Sequence, residues 1–499
     1  MFSTRIYRGG VSALVLLLFA LPAMAQSFRV QCPEETPLHP KSAAGVVSDG
    51  IKCQQISGGD GYATMGDGTQ TYLFAFGPLS GITDIKNGLP GTQKASVFRT
   101  PDDPNGAIGL VPDPNAGGAI TGHVDARAIM DVGVMNGNMP APTMAIDEDD
   151  EFFLTLTNVG MIMRPDLFEQ HTVHFHGYPN ASAFYDGVPD ASVAINIGGS
   201  FTYYYLAPDA GTYFWHCHIT PPEHLQMGMV GQIYVRPRQN RVPLNGSLYA
   251  ALQAQQSDPR TKCGGDILCS TPLPRVNNGA IHQPNKNNSP TLYAYNDGDG
   301  TTAYDVEYPI QIHGFDPNFH FVGMTFNPEP FTDMKDKYFL FNGRSYPDTV
   351  TPGAMSTPVA DGTAHFSQPL PTVINIPLGG KALLRISDLD VSEFQTLASL
   401  GIPMHVVGVN ARLLRDMTGN NLAYDTNSIT LGGGESIDVI LDASVLDASG
   451  NYRYPAGSTY YLYTPNLDHL SNDAENFGGL MTEVHICTAA VDLTTKSCK

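Results

Sequence analysis

Residues 171–177 read HTVHFHG, and residues 211–229 read GTYFWHCHITPPEHLQMGM. Between them they hold six of the fifteen histidines, the single tryptophan and one of the seven cysteines. A thiolate, two imidazoles and a weak thioether form the donor set of a blue-copper electron-transfer centre. Cys217, His224 and Met229 supply three of those donors in order, around a Pro221-Pro222 loop able to fold back on itself. The second imidazole has to come from a neighbouring strand, and HTVHFHG offers candidates. Zinc is a poorer match, because structural zinc sites pair cysteines and a methionine ligand is unusual there.

Strand parity assigns the roles. Successive side chains of a strand point to opposite faces. In HCH, His216 and His218 therefore share one side and Cys217 takes the other. In HTVHFHG, His174 and His176 share a face, while His171 is an odd number of residues away. The pattern predicts two sites. His171, Cys217, His224 and Met229 form one, and His174, His176, His216 and His218 form the other. Ordinary core histidines around a buried free thiol are the plain alternative, but six of them with consistent parity around one cysteine argue against it.

The elements that must position these residues read as β structure. The chain has 499 residues with 51 glycines, 38 prolines and 15% charged residues. No long amphipathic helical pattern is sustained. Short alternating or β-branched runs recur between Gly, Pro and Asp turn signals, which predicts an all-β chain of sandwich or barrel domains. The halves read as distant copies. APTMAIDEDDEFFLTLTN parallels LPTVINIPLGGKALLRISD, and GTYFWHCH…GMVGQIYV parallels STYYLYTP…GGLMTEVHI. The expected division is an N-terminal extension at 26–65, a copper-binding domain at 66–238, a linker at 239–300, a second domain at 301–488 and a tail at 489–499.

Residues 1–25 set the expected compartment. Arg5 and Arg8 precede the apolar run VSALVLLLFALP, and Ala23-Met24-Ala25 follows as a small-residue cleavage signal. The run is short of the ~20 residues a spanning helix needs. A cleaved signal peptide, a mature start at Gln26 and a periplasmic or secreted protein with no membrane span are therefore expected. Six cysteines fall into sequence-local pairs: Cys32 with Cys53, Cys263 with Cys269, and Cys487 with Cys498. Six cysteines allow about fifteen connectivities, so other pairings stay open. The odd one, Cys217, sits among histidines. The formal charge of −21 argues against nucleic-acid partners, whose phosphates it repels.

These runs resemble the copper motifs of the multicopper oxidases, the laccase-like enzymes built of cupredoxin domains. HFHG resembles that family's first HxHG motif. HCHITPPEHLQMGM resembles its last, with two extra residues between cysteine and histidine. DGVPDASVAINIGGSFTYYYLAPDAGTYFWHCH is similar to the segment leading into the copper strand, and FNGRSYPDT, LLRISD and HVVGVNARLL to second-domain strands. The resemblance implies two cupredoxin-like Greek-key domains. It implies a type 1 copper at His171, Cys217, His224 and Met229. It also implies type 2/type 3 copper held in part by His174, His176, His216 and His218, where O2 is reduced. Asp186, in FYDG, stands where the family carries an acidic residue near that cluster, and its expected role is proton delivery; its plainer role is a turn residue before Gly187.

The pattern departs from the family in the second half. A complete trinuclear cluster takes eight histidines in four His-x-His pairs, and this chain has two such pairs. GIPMHVVGVNA leaves His405 alone where a richer motif is expected. Three readings follow. One is an oxidase whose cluster is shared between subunits of a homo-oligomer, with His405 as the motif-placed extra ligand. Another resembles copper nitrite reductases, although His174 sits where that family carries an acidic residue and His218 where it lacks a histidine. The third is a non-enzymatic copper or electron-transfer protein. The expected partners are a small-molecule or metal-ion reductant and O2.

Overall fold

The structure, a computed structural model, describes residues 29–178, 183–255, 272–276, 279–325, 330–358 and 364–499. Residues 1–25 and the Cys263/Cys269 pair lie outside the described residues.

Among the described residues, nine strands build the first half: β1 (Ile51–Thr64), β2 (Gln70–Pro78), β3 (Gln93–Lys94), β4 (Met144–Asp147), β5 (Glu151–Gly160), β6 (His174–Phe175), β7 (Ser200–Leu206), β8 (Gly211–His216) and β9 (Val230–Arg236). One sheet runs β2-β1-β5-β7 with β3 beside β1; the other runs β4-β9-β8-β6. Alternation explains how the two sheets pack. Phe152, Leu154 and Leu156 of β5, Phe74 and Phe76 of β2, and Tyr203 and Tyr205 of β7 send every second side chain into one core. Trp215, Ile233 and Val235 meet them from the other sheet. Burying each such side chain stabilises the fold by roughly 1.5–3 kcal/mol. Cys217 and Met229 belong to this same core.

The second half repeats the plan. Its larger sheet is built on Val306–Phe315, Lys381–Asp388, Glu435–Asp442 and Met404–Val409, and its smaller one on Ile374–Ile376, Met481–Ile486 and Thr459–Tyr463. The correspondence extends to strand direction. β1 runs parallel to β5, and Val306–Phe315 runs parallel to Lys381–Asp388. β4 runs parallel to β9, and Ile374–Ile376 to Met481–Ile486.

Several segments differ from their expected roles. Ile51–Thr64, placed by sequence in an extension, is the strand that joins β2 to β5, because Cys53 and Ile56 are buried there. The described ends of the expected linker are also packed. The Gln239 amide donates to Asp297 at 2.7 Å, and the Asn296 amide donates to Glu148 of the first domain at 2.7 Å, so these polar residues are satisfied within the protein rather than by solvent. Cys32–Cys53 and Cys487–Cys498 are disulfides, and Cys217 is free and buried.

Polar contacts join the halves. The Gln232 side chain donates to the Arg385 carbonyl and to Ser387 Oγ, both at 2.9 Å. Arg236 and Arg385 flank Glu307. His320 of the second half lies between the main-chain oxygens of Tyr72 and Gln226.

Candidate metal centres

The end of β8 is where the chemistry gathers. His174 of β6 pairs directly with His216 of β8, and Phe175 with Trp215. The ladder continues as the His176 N–H donates to the Phe214 carbonyl at 3.0 Å. Cys217 and His218 follow the strand, and the Cys217 N–H donates to the Met229 carbonyl at 3.1 Å. His171 is fixed by a two-way bridge to Ile195. The expected Pro221-Pro222 loop is instead a short helix, Pro221–Gln226, begun by the two prolines. A proline at the first helical positions loses no useful N–H and has its φ preset. That turn brings His224 back onto Cys217.

On one side, the donor atoms of His171, Cys217 and His224 all lie within 4.8 Å of one another. His224 Nδ1 is 3.2 Å from Cys217 Sγ, and His171 Nδ1 is 4.0 Å from it. Cys217, His171, His224 and Met229 are each 0% exposed. The main chain ties Met229 to the group, its N–H donating to the His224 carbonyl at 2.8 Å. Burial dominates the ionisation. It pushes the thiol up to about 11 and His224 down to about 3. His171 falls well below its ordinary value, through burial first and the neighbouring His224 second. Two neutral imidazoles and a thiol converging in a buried core fit copper, which takes such N and S donors.

On the other side, the donor atoms of His174, His176 and His216 form a second group within 4.8 Å. His174 Nδ1 lies 2.6 Å from the Asp186 carbonyl, and His216 Nδ1 lies 2.7 Å from the Cys217 carbonyl. A carbonyl only accepts, so both Nδ1 atoms carry the proton and both Nε2 atoms keep a lone pair for a ligand. His176 Nε2 and His216 Nε2 face each other at 2.9 Å. Burial lowers His176 to about 4 and His216 to about 3, so they are neutral donors at ordinary pH. The residues fit a metal ion. His218 stands beside the group, its ring 5.0 Å from that of His174.

The remaining expected residues fall as follows. The Asp186 carboxylate is 3.6 Å from His174 Nδ1 and partly exposed, beside the group and at its rim. His405 is brought to neither group. It pairs with Asp425 at 2.7 Å on the larger sheet of the second half. Met404 and Val406 take the buried face of that strand, and alternation turns His405 outward.

Other residues at the sites were not read from the sequence. The Thr172 N–H donates to Cys217 Sγ at 3.4 Å, and Thr172 Oγ1 accepts from the His218 N–H at 3.0 Å. Glu169 lies 3.8 Å from His224 Nε2. The imidazole face borders a cleft of about 450 Å3 lined by His176 and His216 together with Asp390, Ser392 and Glu393 of the second half. Thr172 lies inside the quoted motif and its place could have been suspected; nothing in spacing marks the cleft wall.

Residues 120–240 match the family model described as multicopper oxidase. The chain is 34% identical over 109 residues to laccase abr2 of Aspergillus fumigatus, which covers 21% of this chain and 17% of that protein. It is 34% identical over 112 residues to multicopper oxidase MCE of Talaromyces pinophilus, covering 22% and 17%. The match thus spans a small part of either relative. Among solved structures, the blue copper oxidase of Nitrosomonas europaea aligns with a TM-score of 0.50 and 17% identity over 87% of this chain and 85% of that one. That likeness speaks for the fold. Residues 120–240, the stretch that resembles the multicopper oxidase model, contain every donor gathered at the two groups.

Proposed function

We propose that this chain is a secreted copper-dependent oxidoreductase of the multicopper oxidase type. It takes single electrons from a small-molecule or metal-ion reductant and passes them to O2, which is reduced to water. In this reading His171, Cys217, His224 and Met229 hold a type 1 copper. His174, His176, His216 and His218 hold type 2/type 3 copper. Copper supplies the one-electron chemistry at the first site and the O2 reduction at the second.

The carrying observation is that the two donor groups flank one strand end, with Cys217 and His216 adjacent in the chain. Cys217 is covalently bonded to His216 and His218, and the His216 Nδ1–H hydrogen bond to the Cys217 carbonyl adds a second link. Burial keeps water from the thiol. Asp186 orients His174 through its carbonyl, and its carboxylate at the rim is placed to pass protons. The disulfides and the expected signal peptide support a periplasmic or secreted location. Four imidazoles serve where the family cluster takes eight, and the residues of the second half that line the cleft include no histidine. We therefore read the active form as a homo-oligomer that completes the site between subunits.

The test is Cys217→Ser. It should abolish the intense thiolate-to-copper band and O2 uptake while leaving the circular dichroism of the β fold unchanged. A band that survives sinks the type 1 assignment.

A second reading has its own observation. Three imidazoles converge within 4.8 Å while His218 is not among them, which suits a mononuclear copper, the nitrite-reductase-like alternative, with His174 in place of that family's acidic residue. His218→Ala separates the two. Loss of O2 uptake supports the oxidase, whereas nitrite reduction that persists supports the mononuclear centre.

A further inference from the structure

Strand β2 places Tyr72, Phe74 and Phe76 at alternate positions, so their rings share the core-facing side. Tyr62 lies directly opposite Tyr72 in the antiparallel pair of β1 with β2. The ring centroids of Tyr62 and Tyr72 are 5.6 Å apart. Tyr72 meets Phe74 edge-on at 5.6 Å, and Phe74 meets His224 edge-on at 5.8 Å. Four rings in unbroken contact therefore run from the partly buried Tyr62 to the imidazole that touches Cys217 Sγ.

Packing does not require the two phenols. Phenylalanine fills the same volume without a hydroxyl to satisfy in the core. Here the Tyr72 hydroxyl donates to Asp60 Oδ2 at 3.1 Å, which also accepts from the Met163 N–H at 2.8 Å. Asp60 is 0% exposed, and its other oxygen has no hydrogen-bond partner. The Tyr62 hydroxyl donates to Met324 Sδ at 3.3 Å. A phenol that gives up an electron becomes a strong acid, so an oxidisable tyrosine needs a base within hydrogen-bond reach. Tyr72 has one, and burial raises the Asp60 carboxyl above its ordinary range, which strengthens it as a proton acceptor.

We propose that Tyr62 and Tyr72 form a redox-active route between the protein surface and His224, with Asp60 as the proton partner of Tyr72. The inference rests on the type 1 reading above. In the forward step the Tyr72 phenol gives one electron, by way of Phe74 and His224, to Cu(II), which becomes Cu(I). Its proton moves to Asp60, which becomes the carboxylic acid. The phenoxyl radical then takes one electron from a one-electron reductant at the Tyr62 end and regains the proton from Asp60. In the reverse direction, a one-electron oxidant arriving at Tyr62 withdraws an electron from Cu(I) along the same rings.

The reverse direction gives the cleaner measurement. Copper-loaded protein is reduced to Cu(I) and exposed to flash-generated tris(bipyridine)ruthenium(III), and the return of the blue band is timed. Wild type is expected to show a transient tyrosyl radical before the band grows, with a solvent deuterium isotope effect. Tyr72→Phe should lose the radical and slow the band's return by at least about tenfold. Asp60→Asn keeps an oxygen to accept both hydrogen bonds, and it should slow the return comparably and remove the isotope effect. If both variants load copper, show the resting band and recover it at the wild-type rate, the route is overturned. If wild type shows no blue band at all, the type 1 reading has failed instead. If Tyr72→Phe does not fold, Asp60→Asn decides alone.

Discussion

At the scale of single residues, ionisation makes the two sites testable before any activity is measured. Cys217 is pushed up to about 11 by burial, and His224 and His216 are pushed down to about 3. At pH 7 the thiol holds its proton and the imidazoles do not. Filling the sulfur site with Cu(II) should therefore release about one proton per ion, because only the thiolate binds. Calorimetry in two buffers of different ionisation enthalpy reads that number, and Cys217→Ser should remove it. The imidazoles also set the acid stability of the copper-free protein. A histidine whose folded value is depressed binds fewer protons folded than unfolded, so stability is present above the ordinary 6.5 and is lost as pH falls through that value towards the depressed one. Copper-free protein should lose more than about 2 kcal/mol between pH 6.5 and 4, measured by denaturant unfolding. A flat profile would show that these rings are hydrated. Much of this scale was legible. Strand parity separated Cys217 from His216 and His218 without coordinates. The carbonyls that choose the tautomers of His174 and His216 were not, since a main-chain oxygen leaves no mark in a side-chain pattern.

At the scale of elements, the ligand geometry depends on neighbours that are not ligands. Gly58 of β1 lies against the His171 ring, and a Cβ added there would stand 2.9 Å from Cδ2 and 3.3 Å from Cγ. The ring is wholly buried and has little room to yield. Gly58→Ala should displace His171, weaken copper binding at the proposed Cys217 site by about tenfold and shift the blue band expected there. Copper at the imidazole face should be retained, since His174 and His216 are paired on a different sheet. Equal loss at both sites would mean the sheet itself had failed. The strand repeats of the two halves were readable from hydrophobic alternation and turn residues. The helix Pro221–Gln226 was not, because six residues offer no helical period, and two prolines mark either a loop or a helix start.

At the scale of the whole molecule, the imidazole face meets a cleft instead of a matching set of histidines. Its far wall carries Asp390, Ser392 and Glu393, and the Glu393 carboxylate is already paired with His469 at 2.9 Å. If a second subunit completes the site, copper on this face should be lost when the assembly dissociates, while copper at Cys217, enclosed within one core, should stay. Size-exclusion chromatography with inline metal detection reads mass and copper together. A monomer that keeps both kinds of copper and consumes O2 would rule out the shared site. A monomer with one copper per chain and no O2 uptake would leave an electron-transfer protein.

The sequence by itself determined the donor chemistry, its division between two faces, the β class and the odd cysteine. All of these follow from residue type and from the period-two geometry of a strand, which are local. Only the tertiary structure decided what each donor meets. It showed that Ile51–Thr64 joins the first sheet, that Asp425 engages His405, and that Asp390, Ser392 and Glu393 of the second half line the cleft shared with His176 and His216. Those outcomes depend on which distant strands pair and how the halves dock. Such contacts are set by packing summed over the whole chain, and no short stretch of sequence encodes them.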